Sequence, residues 1–191
     1  MKRLVIAFIV LILAAAGAGP QARAGTPEGA AAGPLEKAVA LWRQGYVLHM
    51  MGAYPEAIDL YGRSIGIQPT AEAHTFLGWS LSHVGRTEEA VAECKKAIPL
   101  DPDFGNPYND IGVYLIDLGR LDEAIPWLEK AMRAKRYCCY QFPHYNLGRI
   151  LLAKERLEDA ERAFKRALDY APGYTPALAG LEYIRRQGVP L

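Results

Sequence analysis

Two adjacent cysteines, Cys138 and Cys139, stand among tyrosines, basic residues and a histidine in the segment AMRAKRYCCYQFPHYNLG. A thiol pair in such surroundings could do redox chemistry. Together with Cys94 and the four histidines His49, His74, His83 and His144, it could also supply ligands to a metal ion. The spacing argues against both. No pair of these residues has CxxC or HxxxH spacing, so no metal site is expected. Adjacent Cα atoms are held about 3.8 Å apart by a trans peptide, short of the usual disulfide range of about 4.4–6.8 Å. Cys138 and Cys139 are therefore expected as two free thiols or as one intermolecular bridge, and Cys94 as a buried hydrophobe inside a helix.

Other chemistry is harder still to find. The chain has no HExxH, no nucleophile elbow, no P-loop and no dinucleotide glycine pattern, so neither catalysis nor a cofactor is expected. Its 191 residues, 51% hydrophobic and 23% charged, are enough for one folded domain with a real core.

The N-terminus sets the compartment. Lys2 and Arg3 precede the apolar run LVIAFIVLILAAAGAG, followed by Pro20 and the small-x-small triplet Ala22-Arg23-Ala24. Residues 1–24 read as a secretory signal peptide with Gly25 as the mature start, which predicts an exported, periplasmic or secreted protein. The alternative is an uncleaved membrane anchor, but Leu4 to Ala18 is short of the roughly 20 apolar residues that span a bilayer. Removing the segment takes three of the 22 basic residues away against 21 acidic ones, a net charge near −2. That is not the basic footprint of a nucleic-acid binder. The next ten residues, GTPEGAAAGP (25–34), read as a flexible leader, and the domain proper as 35–191.

Within that domain a period of about 34 residues appears. Gly45, Gly78, Gly112 and Gly148 are separated by 33, 34 and 36 residues. Seven residues after each stands Gly52, Gly85, Gly119 or Glu155; twelve after, Ala57, Ala90, Ala124 or Ala160. Sixteen after comes a larger side chain, Tyr61, Cys94, Leu128 or Phe164, and nineteen after a small one, Ser64, Ala97, Ala131 or Ala167. Pro69, Pro102 and Pro172 close three units, with Arg136 in the third. Small residues where two helices cross, large ones filling between them and a proline that stops the second helix describe a helical hairpin. Pro34, Pro55, Pro107, Pro143 and Pro176 each suit a first helical turn, with Asn106 and Thr175 as expected N-caps. Pro126 falls inside a helix.

This pattern resembles the tetratricopeptide repeat family, most clearly in LGWSLSHVGRTEEAVAECKKAIPLDP and IGVYLIDLGRLDEAIPWLEKAM. The resemblance implies an all-α fold: a right-handed α-solenoid of four hairpins (about 38–70, 71–104, 105–140 and 141–174) plus a C-terminal capping helix at 175–188. Gln44, where the other units have Leu77, Ile111 and Leu147, suggests an exposed end to the first repeat. Leu178, Leu181 and Ile184 are expected to share the covering face of the capping helix.

Carried over unit by unit, the family's inward positions predict a partner-binding groove of Trp42, Tyr46 and His49; Thr75, Trp79 and His83; Asn106, Asn109 and Val113; and Phe142, Tyr145 and Arg149. His49 and His83 are placed to approach one another. Aromatic side chains and asparagines in a groove suit a protein or an extended peptide, although aromatics in such helices also serve as core. The expected function is an exported, non-catalytic scaffold or adaptor that serves assembly of a cell-envelope complex. The alternative is a redox-active or metal-binding accessory protein on the same scaffold. The junction with the 36-residue spacing is expected to present Tyr137, Cys138, Cys139 and Tyr140 at one edge as a secondary contact loop.

Overall fold

The computed structural model describes residues 32–187; the expected signal peptide and most of the leader lie outside the described residues. Among those described there are nine helices and no strand. They are α1 (Pro34–Met50), α2 (Tyr54–Ile67), α3 (Ala71–His83), α4 (Thr87–Leu100), α5 (Gly105–Asp117), α6 (Leu121–Ala131), α7 (Gln141–Ala153), α8 (Leu157–Tyr170) and α9 (Thr175–Arg186). Each odd helix pairs with the next even one, each hairpin packs on its neighbour, and α9 covers α8. The chain is an all-α helical repeat.

The hairpins close where the first helix has no Cβ. A Cβ on Gly45 would lie 2.9 Å from the Tyr61 ring, and one on Gly148 2.5 Å from the Phe164 ring. On Gly78 it would meet the Ala90 carbonyl oxygen and Cys94 Sγ, both at 3.1 Å, and on Gly112 it would run into the Leu128 side chain. Tyr61, Cys94, Leu128 and Phe164 are all buried, so none can swing away. Cys94 is the apolar filler expected, and burial pushes its thiol pKa well up.

The turns inside the hairpins are identical. Gly52, Gly85 and Gly119 have φ of 79°, 79° and 74°, and Glu155 adopts the same left-handed form at 58°. The amide of the following residue then donates back into the first helix: Ala53 to Leu48, Arg86 to Leu81 and Arg156 to Leu151 at 2.9 Å, and Arg120 to Leu115 at 2.8 Å. This closes each helix with a reverse-turn cap that needs φ above zero. Glu155 adopts it against its own Cβ, at a cost of about 1 kcal/mol.

Several expectations are corrected. The first-turn prolines lie as expected, but Asn106 and Thr175 are inside their helices, capped by Phe104 and Tyr174 without a side-chain bond. Among the described helices Thr70 is the one cap residue whose hydroxyl accepts, from the Ala73 amide at 3.1 Å. Pro99 joins Pro126 inside a helix. On α9 the covering face holds Leu181 and Ile184 as expected, with Ala177 and Gly180, the last against the far side of the Phe164 ring; Leu178 is instead turned outward.

The long junction after α6 is also unlike its expectation. Arg136 forms an isolated parallel bridge with Phe104: its amide donates to the Asp103 carbonyl at 2.8 Å and its carbonyl accepts from the Gly105 amide at 3.1 Å. Tyr137 is buried against Gly105 rather than presented at an edge, and Tyr140 donates to the Ala134 carbonyl at 2.7 Å. Cys138 is exposed, and it is joined to Cys139 in a vicinal disulfide instead of carrying a free thiol. The pair stands outside any helix, where the backbone can turn both sulfurs to one side.

Two substitutions test this packing. Gly112→Ala should lower stability by about 1–3 kcal/mol through overpacking, whereas Gly62→Ala, on an open face of α2, should raise it by about 0.5–1 kcal/mol. Equal urea midpoints for the two would refute the close crossing. Glu155→Gly should add roughly 1 kcal/mol in the same measurement.

Candidate functional site

The first helices α1, α3, α5 and α7 lie side by side and form the floor of the expected groove. Each adjacent pair is tied by one polar contact between buried or half-buried side chains. His49 Nδ1 and Ser80 Oγ are 2.9 Å apart, joining α1 to α3. Trp79 Nε1 donates to Asp110 Oδ2, joining α3 to α5. Asn146 Nδ2 donates to Asn109 Oδ1 at 3.2 Å, joining α5 to α7. Within this ladder Asn109 Nδ2 also donates to Asp110 Oδ1 at 3.2 Å, and Arg149 donates to Asn146 Oδ1 at 3.2 Å.

Asp110 is the unusual member. The residue is 8% exposed and no cation is paired with its carboxyl among the described residues. Burial pushes its pKa up to about 7, while the bonds from Trp79 and Asn109 pull the other way. The neighbouring titratable groups, Cys94, Tyr114 and Tyr137, have pKa values raised first by burial and then by the negative charge of Asp110.

The expected groove residues divide accordingly. Thr75 is fully buried and donates to the Ala71 carbonyl at 2.7 Å, out of reach of a ligand. Asn109 is buried with its amide engaged on both sides, so it is a tie and not a free peptide-binding amide. His49 is buried too; its pKa is lowered by burial and then by His83. The two rings meet edge to face at 5.0 Å, and His83 Nδ1 donates to the Trp79 carbonyl at 2.8 Å. Among the described residues no three His, Cys, Asp or Glu side chains group as a metal site would need.

What remains accessible is aromatic. At the α1–α3 end, Trp42, Tyr46 and Trp79 are half-exposed around Phe76, at ring distances of 5.4, 5.4 and 5.1 Å. The Arg43 guanidinium lies 5.6 Å from the Trp42 ring. At the α7 end, Tyr145 and exposed Phe142 both pack on Tyr174, at 5.3 and 5.7 Å. Between them lie half-exposed Asn106 and Val113 and Arg149, which is 3.9 Å from Asp117.

Phe76, Asp110 and Asn146 were not anticipated from the sequence. They share one register, a residue after Thr75, Asn109 and Tyr145, and a carboxylate beside an asparagine within an apolar stretch was the signal that could have found them. The repeated histidines are packing residues: His74 Nδ1 is 2.7 Å from Glu93 and His144 stacks on Tyr170 at 5.4 Å. Bonding to His74 holds Glu93 below the ordinary carboxyl range.

Three family models described as tetratricopeptide repeat match this chain, at residues 71–104, 108–136 and 142–174. Among curated relatives, Small glutamine-rich tetratricopeptide repeat-containing protein 2 of Mycosarcoma maydis is 30% identical over 99 residues, 51% of this chain and 28% of its own. The TPR repeat-containing thioredoxin TTL4 of Arabidopsis thaliana is 32% identical over 83 residues, 43% of this chain and 12% of its own. The DnaJ homolog subfamily C member 3 of Homo sapiens is 27% identical over 111 residues, 58% and 22%. The chain thus spans no more than 28% of these relatives. Of solved structures, Pseudomonas aeruginosa PilF superposes with a TM-score of 0.77 at 21% identity, covering 82% of this chain and 71% of that one. YrrB, described as having an unusual peptide-binding site, gives 0.63 at 23%, covering 76% and 74%. These structures share the fold.

The buried acid makes a testable signature. Below pH about 4 Asp110 is protonated in both folded and unfolded chains; between about 4 and 7 the folded chain holds a proton that the unfolded chain has lost. Its contribution to stability is therefore complete at low pH and lost as pH rises through about 7. Relative to the wild type, Asp110→Asn should become more stable by roughly 1–3 kcal/mol between pH 5 and pH 8. Parallel denaturation curves across that range would show that Asp110 ionises as an ordinary carboxylate.

Proposed function

Because the chain belongs to the tetratricopeptide-repeat family, whose members act as protein-interaction scaffolds, we propose that its aromatic groove holds an extended segment of a partner protein. The observation that carries this is the cluster of Trp42, Tyr46, Phe76 and Trp79. Half-exposed aromatics supply large contact area with few rotamers to freeze. The polar ties beneath keep that surface from collapsing inward. A bound segment would lay an apolar side chain against Phe76 and run toward Tyr145 and Phe142.

The compartment is part of the proposal. The pattern of residues 1–24 supports an exported protein, and an exported adaptor suits assembly of a cell-envelope complex. The helices described supply no apolar span long enough to cross a membrane. A redox accessory role has one observation in its favour, the Cys138–Cys139 bridge, but the remaining cysteine, Cys94, is buried in the core and offers no third thiol for exchange.

A photo-crosslinker at position 46 in the groove should trap a partner in the producing cell's own envelope, and one at position 95 on α4 should not. Phe76→Ala should reduce that capture about tenfold, equivalent to about 1.4 kcal/mol, while the protein stays helical by circular dichroism. Equal yields from positions 46 and 95 would move the site off the groove. A purified protein that does not begin at Gly25 would count against export by cleavage.

A further inference from the structure

The two ends of the repeat array are unlike its interior. Leu81, Leu115 and Leu151, each three residues after the crossing glycine, are buried to 3%, 3% and 7% exposure. Leu48 holds the same register in α1 and is half-exposed, at the end where the later units have a preceding hairpin. A shallow depression opens there, lined by Leu48, Pro55, Glu56, Asp59 and Leu60. Glu56 makes no ion pair among the described residues, and Asp59 faces only Arg63, at 3.6 Å with both side chains largely in solvent.

The other end of the described array is α9. α9 repeats a first helix, but no second helix follows it among the described residues. At their fourth position the other first helices meet their own hairpin partner: His74 meets Glu93, Tyr108 stacks on Trp127, and His144 stacks on Tyr170. Ala177, which follows Pro176 as Tyr108 follows Pro107 and His144 follows Pro143, stands in that register and is buried, while the next residue, Leu178, is 45% exposed beside half-buried Leu181. One turn on, Arg185 and Arg186 share the single carboxylate of Glu182, which leaves this end of the helix positive. Solenoid ends ordinarily carry polar outer faces; here each end is apolar, one with an acidic rim and the other with a basic one.

We infer that the two ends dock on one another between copies of this chain. α9 of one copy seats Leu178 in the Leu48–Leu60 depression of the next, with Arg185 against Glu56 and Asp59. The contact sets two first-type helices side by side, as α1 and α3, α3 and α5, and α5 and α7 lie inside the chain. It is heterologous, so it continues as short head-to-tail strings instead of closing as a two-fold dimer. The groove surface around Phe76 is not used, so failure of this inference leaves the peptide-binding reading untouched.

The test is the mass of the purified chain in solution up to about 1 mM, the range in which weak contacts register. The wild type should form species that grow with concentration beyond a dimer. Leu48→Glu and Leu178→Glu should each raise the concentration needed for assembly at least tenfold while keeping the helical spectrum. An equimolar mixture of the two should stop at a one-to-one dimer, because only one working pair of faces remains. Glu56→Arg and Arg185→Glu, which leave the leucines in place, should each weaken assembly and recover it when mixed. A wild-type chain that stays monomeric, or assembles only once residues 1–31 are removed, would overturn the inference, as would a dimer that survives both leucine substitutions.

Discussion

Every unit depends on a missing Cβ. The first helix crosses the second at Gly45, Gly78, Gly112 or Gly148, and the gap is filled by the side chain sixteen residues later. Because the filler comes from the opposite helix and is fully enclosed, backbone separation and core volume are set by the same pair. This coupling lets the filler vary from Cys94 to Phe164 without changing the architecture. A large ring such as Phe164 also reaches Gly180 on α9, so one side chain closes its own hairpin and seats the helix that follows.

Crossings fix hairpins but not the spacing between hairpins, and apolar packing has little directionality. The polar ties supply it. His49–Ser80, Trp79–Asp110 and Asn109–Asn146 each connect one first helix to the next, and a desolvated hydrogen bond tolerates little displacement. Asp110 makes the middle tie sensitive to charge, since protonation turns one of its two accepting oxygens into a donor and a weaker acceptor. The middle tie thus rests on a buried acid whose pKa burial pushes up to about 7.

The hairpins were legible in the sequence because they rest on identity at fixed spacing: four small residues, four fillers and four turns. The turn register was legible even where its chemistry was not, for Glu155 takes the left-handed conformation that Gly52, Gly85 and Gly119 take freely. The site was legible only as a face. Trp42, Tyr46 and Trp79 are half-exposed on that face, but Thr75 and Asn109 were read as ligand contacts when burial and existing bonds occupy them. A residue type does not reveal whether its hydrogen bonds are already used; only its neighbours in space do. The neighbours that matter, Asp110 and Asn146, lie 31 or more residues from the partners they tie across helices.

The junction after α6 shows the same limit from the other side. Two additional residues and a missing proline suggested a contact loop presented at one edge. Instead Arg136 replaces the proline's role by making a backbone bridge to the preceding junction, stacking its guanidinium 4.0 Å over Phe104 and pairing with Glu72 and Asp101 at 2.9 and 2.7 Å. The added length is absorbed where it contacts an earlier unit, and Tyr137 fills the space above Gly105. A repeat array can therefore lengthen one junction without losing register, provided the insertion brings its own tie. Sequence spacing reports the insertion, and only the fold reports the tie.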